Sequence, residues 1–249
     1  MPSVELLLYS AIRKEALLTS QIEGTQATLT DLFDEEAGFA AGNTDDLEEV
    51  TNYLRAFRLV QDNLRDPAGL PISVRLLCNA RAAPGGGTRR RQAARCPAAL
   101  LEHWALLPEP LMYLSGYLKQ HQAEYYRRLS NVRTEGDWEG WVSFFLEGVA
   151  MAATEAERGI VAIASLVAAD RRRLLAAPKA GPASYRLFEL LPLMPRFTVE
   201  RVRQSLDTSF PTANAAVKVL EELGIVTELT GQKSHRSFSY QSYIALLTV

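Results

Sequence analysis

Glu15–Gly38 reads EALLTSQIEGTQATLTDLFDEEAG, and Asp46–Phe57 reads DLEEVTNYLRAF. Upstream, Val4, Leu7, Leu8 and Ile12 join Leu17 and Leu18 at helical spacing. That spacing predicts a first amphipathic helix over residues 3–22, ended by Gly24. A second helix follows Thr28 and covers LTDLFDEEAG. A third begins at Thr44, an N-cap residue type, with Asp45 and Asp46 in its first turn, and runs to about Arg65. Its apolar set is Leu47, Val50, Tyr53, Leu54, Phe57 and Val60. DPAGLP interrupts it, and ISVRLLCNA opens a fourth helix.

The helical grammar then fails. Residues 81–95 read RAAPGGGTRRRQAAR, with five arginines, three consecutive glycines and no acid. Such a segment cannot bury an apolar face. It is not a P-loop, because GGGT lacks the Gly-Lys-Ser/Thr end. A solvated arginine loop is the simpler reading, with a phosphate or nucleic-acid patch as the other. Helical texture returns at CPAALLEHWALL and continues through EPLMYLSGYLKQHQAEYYRRLSNV. A long helix over 137–175 follows, with Trp138, Trp141, Phe144, Phe145 and Val149 as its expected core face. AAPKAGPAS (176–184) reads as a linker and a domain boundary. Beyond it come three helices (SYRLFELLPLM; FTVERVRQSLD, capped by Thr198; SFPTANAAVKVLEELG, closed by Gly224) and two β-rich runs, IVTELTG and RSFSYQSYI, around GQKSH. Helix, helix, helix, hairpin is the order of a winged helix.

Composition narrows the function classes. With 249 residues, 47% of them hydrophobic, the chain can bury a sizeable core. A formal net charge of −2 gives no global pull toward nucleic acid or acidic membranes. Cys78 and Cys96 match no metal spacing, so free thiols in a reducing compartment are expected. The N-terminus does not read as a signal peptide, no stretch reads as a membrane span, and a cytoplasmic location without a membrane partner is expected.

Thr19-Ser20-Gln21-Ile22-Glu23-Gly24 fits the pattern Ser/Thr, three residues, Glu, Gly/Asn. With its flanks, with LPISVRLL, with EPLMYLSGYLKQHQAEYYRRLSNVRTEGDWEGWVSFFLEGV and with PTANAAVKVLEELGIVTELTG, it resembles the Fic (Fido) family. The resemblance covers most of the chain outside 81–96. It implies a mainly α fold: a Fic-type bundle followed by a C-terminal winged helix-turn-helix. In that family the usual reaction is transfer of AMP from ATP to Ser, Thr or Tyr hydroxyls of a protein target. A loop of the form His-Pro-Phe-x-Asp/Glu-Gly-Asn-Gly-Arg performs it. The His is general base, the acid holds Mg, and the glycine backbone and arginines take the phosphates. Thr19, Glu23 and Gly24 correspond to the inhibitory motif, whose Glu pairs with a loop arginine and blocks γ-phosphate placement. By the same resemblance Glu23, Tyr113, Ser115, Gln120 and Tyr125 lie on the nucleotide side, although packing and helix surface account for the last four more simply. ATP and Mg are the implied cofactors, a protein target and a second copy of the chain the implied partners. Further residues before the first helix are also implied.

The chemistry-bearing loop is missing. Neither His-Pro-Phe nor Gly-Asn-Gly-Arg occurs, and the three histidines, His103, His121 and His235, sit in other contexts. The bundle therefore reads as incomplete: an N-terminal segment over 1–80, an aberrant loop over 81–96, the rest of the bundle over 97–178, and the winged helix over 183–249. Arg91-Gln92-Ala93-Ala94-Arg95 can be encoded as CGG-CAG-GCT-GCT-CGN. One position on, that DNA reads Gly-Arg-Leu-Leu, the kind of segment that follows the family's loop. An internal deletion with a compensating frameshift explains this, and it predicts an adenylyltransferase relative without catalytic or metal residues. Resequencing the locus tests it: an in-frame relative of the segment, with no better alternative frame, would count against it. Glu23 sits at a helix C-terminus, an electrostatically poor place for an acid, which favours a special role. Its opportunistic partners would be Arg91 and Arg95.

The alternative function is a non-enzymatic winged-helix regulator that contacts DNA or protein. There the third helix enters the groove. Pro211 would sit at its first position, Thr212, Ala213, Asn214 and Lys218 would point outward, and Val217, Leu220 and Leu223 would pack inward. Lys233, His235 and Arg236 decorate the wing. Residues 183–249 hold seven Lys/Arg and six Asp/Glu, a net of +1, which is thin for neutralising phosphates.

Overall fold

The structure, a computed structural model, describes residues 4–22, 24–39, 44–66, 111–232 and 236–248. Among them the chain is mainly α-helical: α1 (Val4–Ile22), α2 (Leu29–Ala37), α3 (Thr44–Arg65), α4 (Leu114–Gln120), α5 (Gln122–Glu135), α6 (Trp138–Leu175), α7 (Pro182–Leu190), α8 (Val199–Leu206), α9 (Phe210–Glu222) and α10 (Gln241–Thr248). Three short strands, β1 (Arg196–Thr198), β2 (Thr227–Glu228) and β3 (Ser237–Ser239), form an antiparallel sheet in the order β1-β3-β2. The fourth expected helix, residues 81–96, Cys78, Cys96 and His103 lie outside the described residues. Among the described residues no helix is long and apolar enough to cross a membrane.

The chain divides into two compact units. One comprises Met1–Ser10, Leu29–Gly42 and Arg158–Val249; the other comprises Ala11–Thr28 and Asn43–Glu157. Helices α1 and α6 each contribute to both.

In the second unit, all six apolar residues expected on the inner face of α3 are buried. They fall at i, i+3, i+4 and i+7 spacings, so one stripe of the helix is apolar. Around α4, α5 and α6, Ile22, Tyr117, Tyr125 and Phe144 form a cluster against which Trp141 and Leu129 pack. Beside it lies a second cluster of Met112, Leu114 and Ala152, with Phe145 and Val149. A Cβ on Gly148 would stand 2.5 Å from the Tyr117 ring, so only glycine lets α6 approach that ring. One expectation fails here. Trp138 is 64% exposed, because it is the first residue of α6, ahead of Trp141 and Phe145, which pack against the clusters. α4 and α5 meet at His121, whose N–H and Nδ1 both reach the Tyr117 carbonyl, each at 3.0 Å.

In the first unit, residues 182–248 pack around Leu187, Phe197, Val202, Ala213, Leu220, Phe238 and Tyr243, all fully or nearly fully buried. Phe197 and Phe238 are cross-strand partners with stacked rings 5.9 Å apart. Thr198 caps α8 by accepting the Arg201 N–H at 3.1 Å. Ser209 caps α9 by accepting the Thr212 N–H at 3.4 Å, and Pro211 sits in the first turn, one place after Phe210. Arg196 and Asp34 form an ion pair joining β1 to α2. Tyr240 donates to buried Asp170 at 2.7 Å, and the Tyr243 hydroxyl lies 2.6 Å from Ser10 Oγ. Two readings are corrected. The QSYI end of the second β-rich run is helix, part of α10, because Tyr243, Ile244 and Leu247 are buried at 3.6-residue spacing. Ala213 points into the core with no exposure, since it shares the face of Ala216, Val217 and Leu220.

Candidate functional site

The motif-bearing end of α1 is built into a seam with α4 and α5. Thr19 is buried, and its Oγ1 lies 2.7 Å from Ser115 Oγ. Ser115 in turn donates its hydroxyl to Glu15 Oε1 at 2.7 Å and its backbone N–H to Glu15 Oε2 at 3.2 Å. Glu15 and Thr19 are one helical turn apart, so their side chains share a face of α1. Ser115 lies in the first turn of α4, where backbone N–H groups have no partner within the helix. Glu15 supplies that partner from a neighbouring helix. Burial pushes the Glu15 carboxyl up to about 7, while both bonds from Ser115 pull it down.

The last turn of α1 is fastened as well. Gln122 Nε2 donates to the Ile22 carbonyl at 2.9 Å, and Lys119 Nζ donates to Gln21 Oε1 at 2.7 Å. Gln21 Nε2 reaches the Ala27 carbonyl at 2.8 Å. Gly24 makes the turn with φ +106°, a left-handed conformation that glycine adopts without strain. Its N–H returns to the Gln21 carbonyl at 3.2 Å.

The remaining expected site residues separate into those the seam gathers and those it does not. Ser115 and Thr19 meet directly. Tyr113 is half-buried at the start of α4, with Lys14 Nζ 4.9 Å from its ring centroid. Tyr125 packs 5.1 Å from Tyr126 and 5.9 Å from Trp141, between ring centroids. Gln120 is exposed on the surface of α4. Glu23, Arg91 and Arg95 lie outside the described residues. Glu15 is the member that sequence reading missed. Its signal was present: an acid at the i−4 position of Thr19, between the apolar residues Ile12 and Leu17.

A shallow cleft of about 560 Å³ opens beside the seam, lined by Tyr117, His121, Glu124, Arg128, Asp137 and Glu147 among others. Arg127 and Arg128 hold the Glu124 carboxyl down, to about 2. Among the described residues, no group of three or more His, Cys, Asp or Glu is placed to hold a metal ion.

With this geometry in place, the comparison with known families is informative. Residues 1–62 match the model of the Fic/DOC family N-terminal region. The match supports Fic family membership. It spans α1, α2 and most of α3, and so includes Glu15 and the stretch Thr19–Gly24.

The residues expected on the C-terminal face are less available than the sequence suggested. Thr212 and Lys218 are exposed on α9. Asn214 instead accepts a hydrogen bond from Arg236 Nη2 at 3.0 Å, and the Arg236 guanidinium lies 5.2 Å from the Phe238 ring centroid. Lys218 Nζ stands 3.9 Å from Glu222. Lys233 and His235 lie outside the described residues.

Proposed function

We propose that this chain is a Fic-lineage protein that keeps the inhibitory helix and has lost protein adenylylation. The observation that carries the reading is the pairing of a Fic/DOC N-terminal match over 1–62 with a sequence that holds neither His-Pro-Phe nor Gly-Asn-Gly-Arg. The chemistry needs a general base, a metal-binding acid and a phosphate cradle at one loop. His121, the histidine within the described residues, is tied at Nδ1 to the Tyr117 carbonyl and sits within 4.3 Å of that ring. Among the described residues no cluster of acids is placed to hold Mg²⁺. The apolar side chains that α6 leaves exposed, Trp138, Val142, Leu146 and Met151, agree with a bundle that lacks some of its packing partners. Incubating the protein with labelled ATP and Mg²⁺ tests this. The expected result is no label on the protein; Mg²⁺-dependent self-labelling would refute it.

A second reading concerns residues 182–248. Helix, strand, helix, helix and a two-stranded hairpin, closed into one sheet by β1, support a winged helix. Its neutralised cations and net charge of +1 favour contact with protein over contact with DNA. A salt-dependent mobility shift of promoter DNA would reverse that preference.

A further inference from the structure

Glu15 is a fully enclosed carboxyl group with a polar role that the family reading does not use. It is 3% exposed, Ser115 is 5% exposed, and Thr19 is 3% exposed. The three side chains form a chain, Glu15–Ser115–Thr19, with both links at 2.7 Å. Two of its members lie on α1 and one on α4. Such a chain has two hydrogen-bonding polarities. With Glu15 ionised, Ser115 donates to the carboxylate and Thr19 donates to Ser115. With Glu15 protonated, the carboxyl proton goes to Ser115 Oγ, and Ser115 turns its own proton to Thr19. The Ser115 N–H bond survives in both states.

We propose that Glu15, Ser115 and Thr19 form a proton-sensitive latch that seats α1 on α4, tight when Glu15 carries a proton and loosened when it does not. The reason is desolvation. A carboxylate whose two accepted hydrogen bonds fill only about half of its lone-pair sites is costly to enclose, whereas the neutral acid is not. Ala11, Ala16 and Leu17, on the same stretch of α1, are buried as well. The charged groups nearby do not offset the cost. Lys14, beside Glu15 in sequence, has its own ammonium lowered by burial, lies over the Tyr113 ring and is drawn toward Glu155 of α6. Arg13, on the other side, is buried and already engaged.

The direction follows from linkage. The carboxyl rises from an ordinary value near 4.5 to about 7 when enclosed. Stability from this group is therefore complete below the ordinary carboxylate range and is lost as pH rises toward 7. That the latch acts on an inhibitory motif rests on the family reading, since α1 carries Thr19 and leads into Glu23; the latch itself does not.

Amide hydrogen exchange of residues 11–22 in the full chain, corrected for intrinsic rates and compared at pH 5 and pH 8, tests it without ATP. The native chain should lose protection by on the order of a hundredfold across that span, and Glu15→Gln should show protection that does not vary with pH. A carboxyl-carbon titration of Ser115→Ala provides the second arm. Removing the donating hydroxyl should raise the Glu15 midpoint above its native value. Equal pH dependence in Glu15→Gln, a flat native profile, or an unmoved or lowered midpoint in Ser115→Ala would each overturn the proposal.

Discussion

The α1–α4 seam and the C-terminal module hold together by opposite means. In residues 182–248 the interior is apolar and aromatic, with Phe197 stacked on Phe238 and Tyr240 on Tyr243, and both α8 and α9 carry side-chain N-caps. At the seam the contacts are polar and enclosed: a carboxyl group, two hydroxyls and a helix N–H. α4 has no side-chain cap of its own at Tyr113; it takes one from α1. The comparison teaches that the module is secured by non-directional burial, which changes little with pH, while the seam is secured by groups whose protonation matters.

The largest expected break in the comparison is Phe238→Ala. Phe238 is fully buried at the middle strand of the sheet, so truncation should cost about 3–5 kcal/mol, read as a lowered denaturation midpoint of the C-terminal unit at every pH. At the seam, the pH term is next. Glu15 should remove on the order of 3 kcal/mol of stability between pH 4.5 and 7 as its enclosed carboxyl, near 7, ionises. Denaturant titrations of native and Glu15→Gln protein across that range check this, and the variant's profile should be flatter. Gly148→Ala, which would drive a methyl group against the Tyr117 ring, should cost about 1–3 kcal/mol in the second unit and leave the C-terminal one unchanged. Ser209→Ala removes the α9 cap and should cost about 1 kcal/mol. Smallest in stability is Leu146→Glu. Leu146 is 59% exposed, so the change should fall within about 0.5 kcal/mol while reducing light scattering on concentration.

Much of the fold was legible because helical periodicity was strong. α3 shows this best: its six inward residues were named from spacing alone, and all six are buried. The Thr198 cap was legible for a similar local reason. What was not legible depended on partners distant in sequence. Glu15 read as an ordinary helix acid because Ser115 lies 100 residues away. The junction of α4 and α5 at His121 carries no glycine or proline signal; there the side chain turns back to the Tyr117 carbonyl. RSFSYQSYI reads as β-rich from its aromatic content, and in its QSYI end burial at helical spacing outweighs that propensity. Asn214 reads as an outward-facing residue of the third helix and Arg236 as a wing residue, yet they bond each other. Thr19 stands out in the sequence through a motif, while the buried chain that anchors it depends on tertiary contacts.

On the proposed reading, an inhibitory-type helix survives without a reaction to inhibit. The most direct measurement compares native protein with Glu23→Gly, each incubated with Mg²⁺ and labelled ATP. An intact but silenced transferase would be released by that substitution. Here both proteins should remain unlabelled, and label appearing on the Glu23→Gly chain in a Mg²⁺-dependent manner would contradict the account.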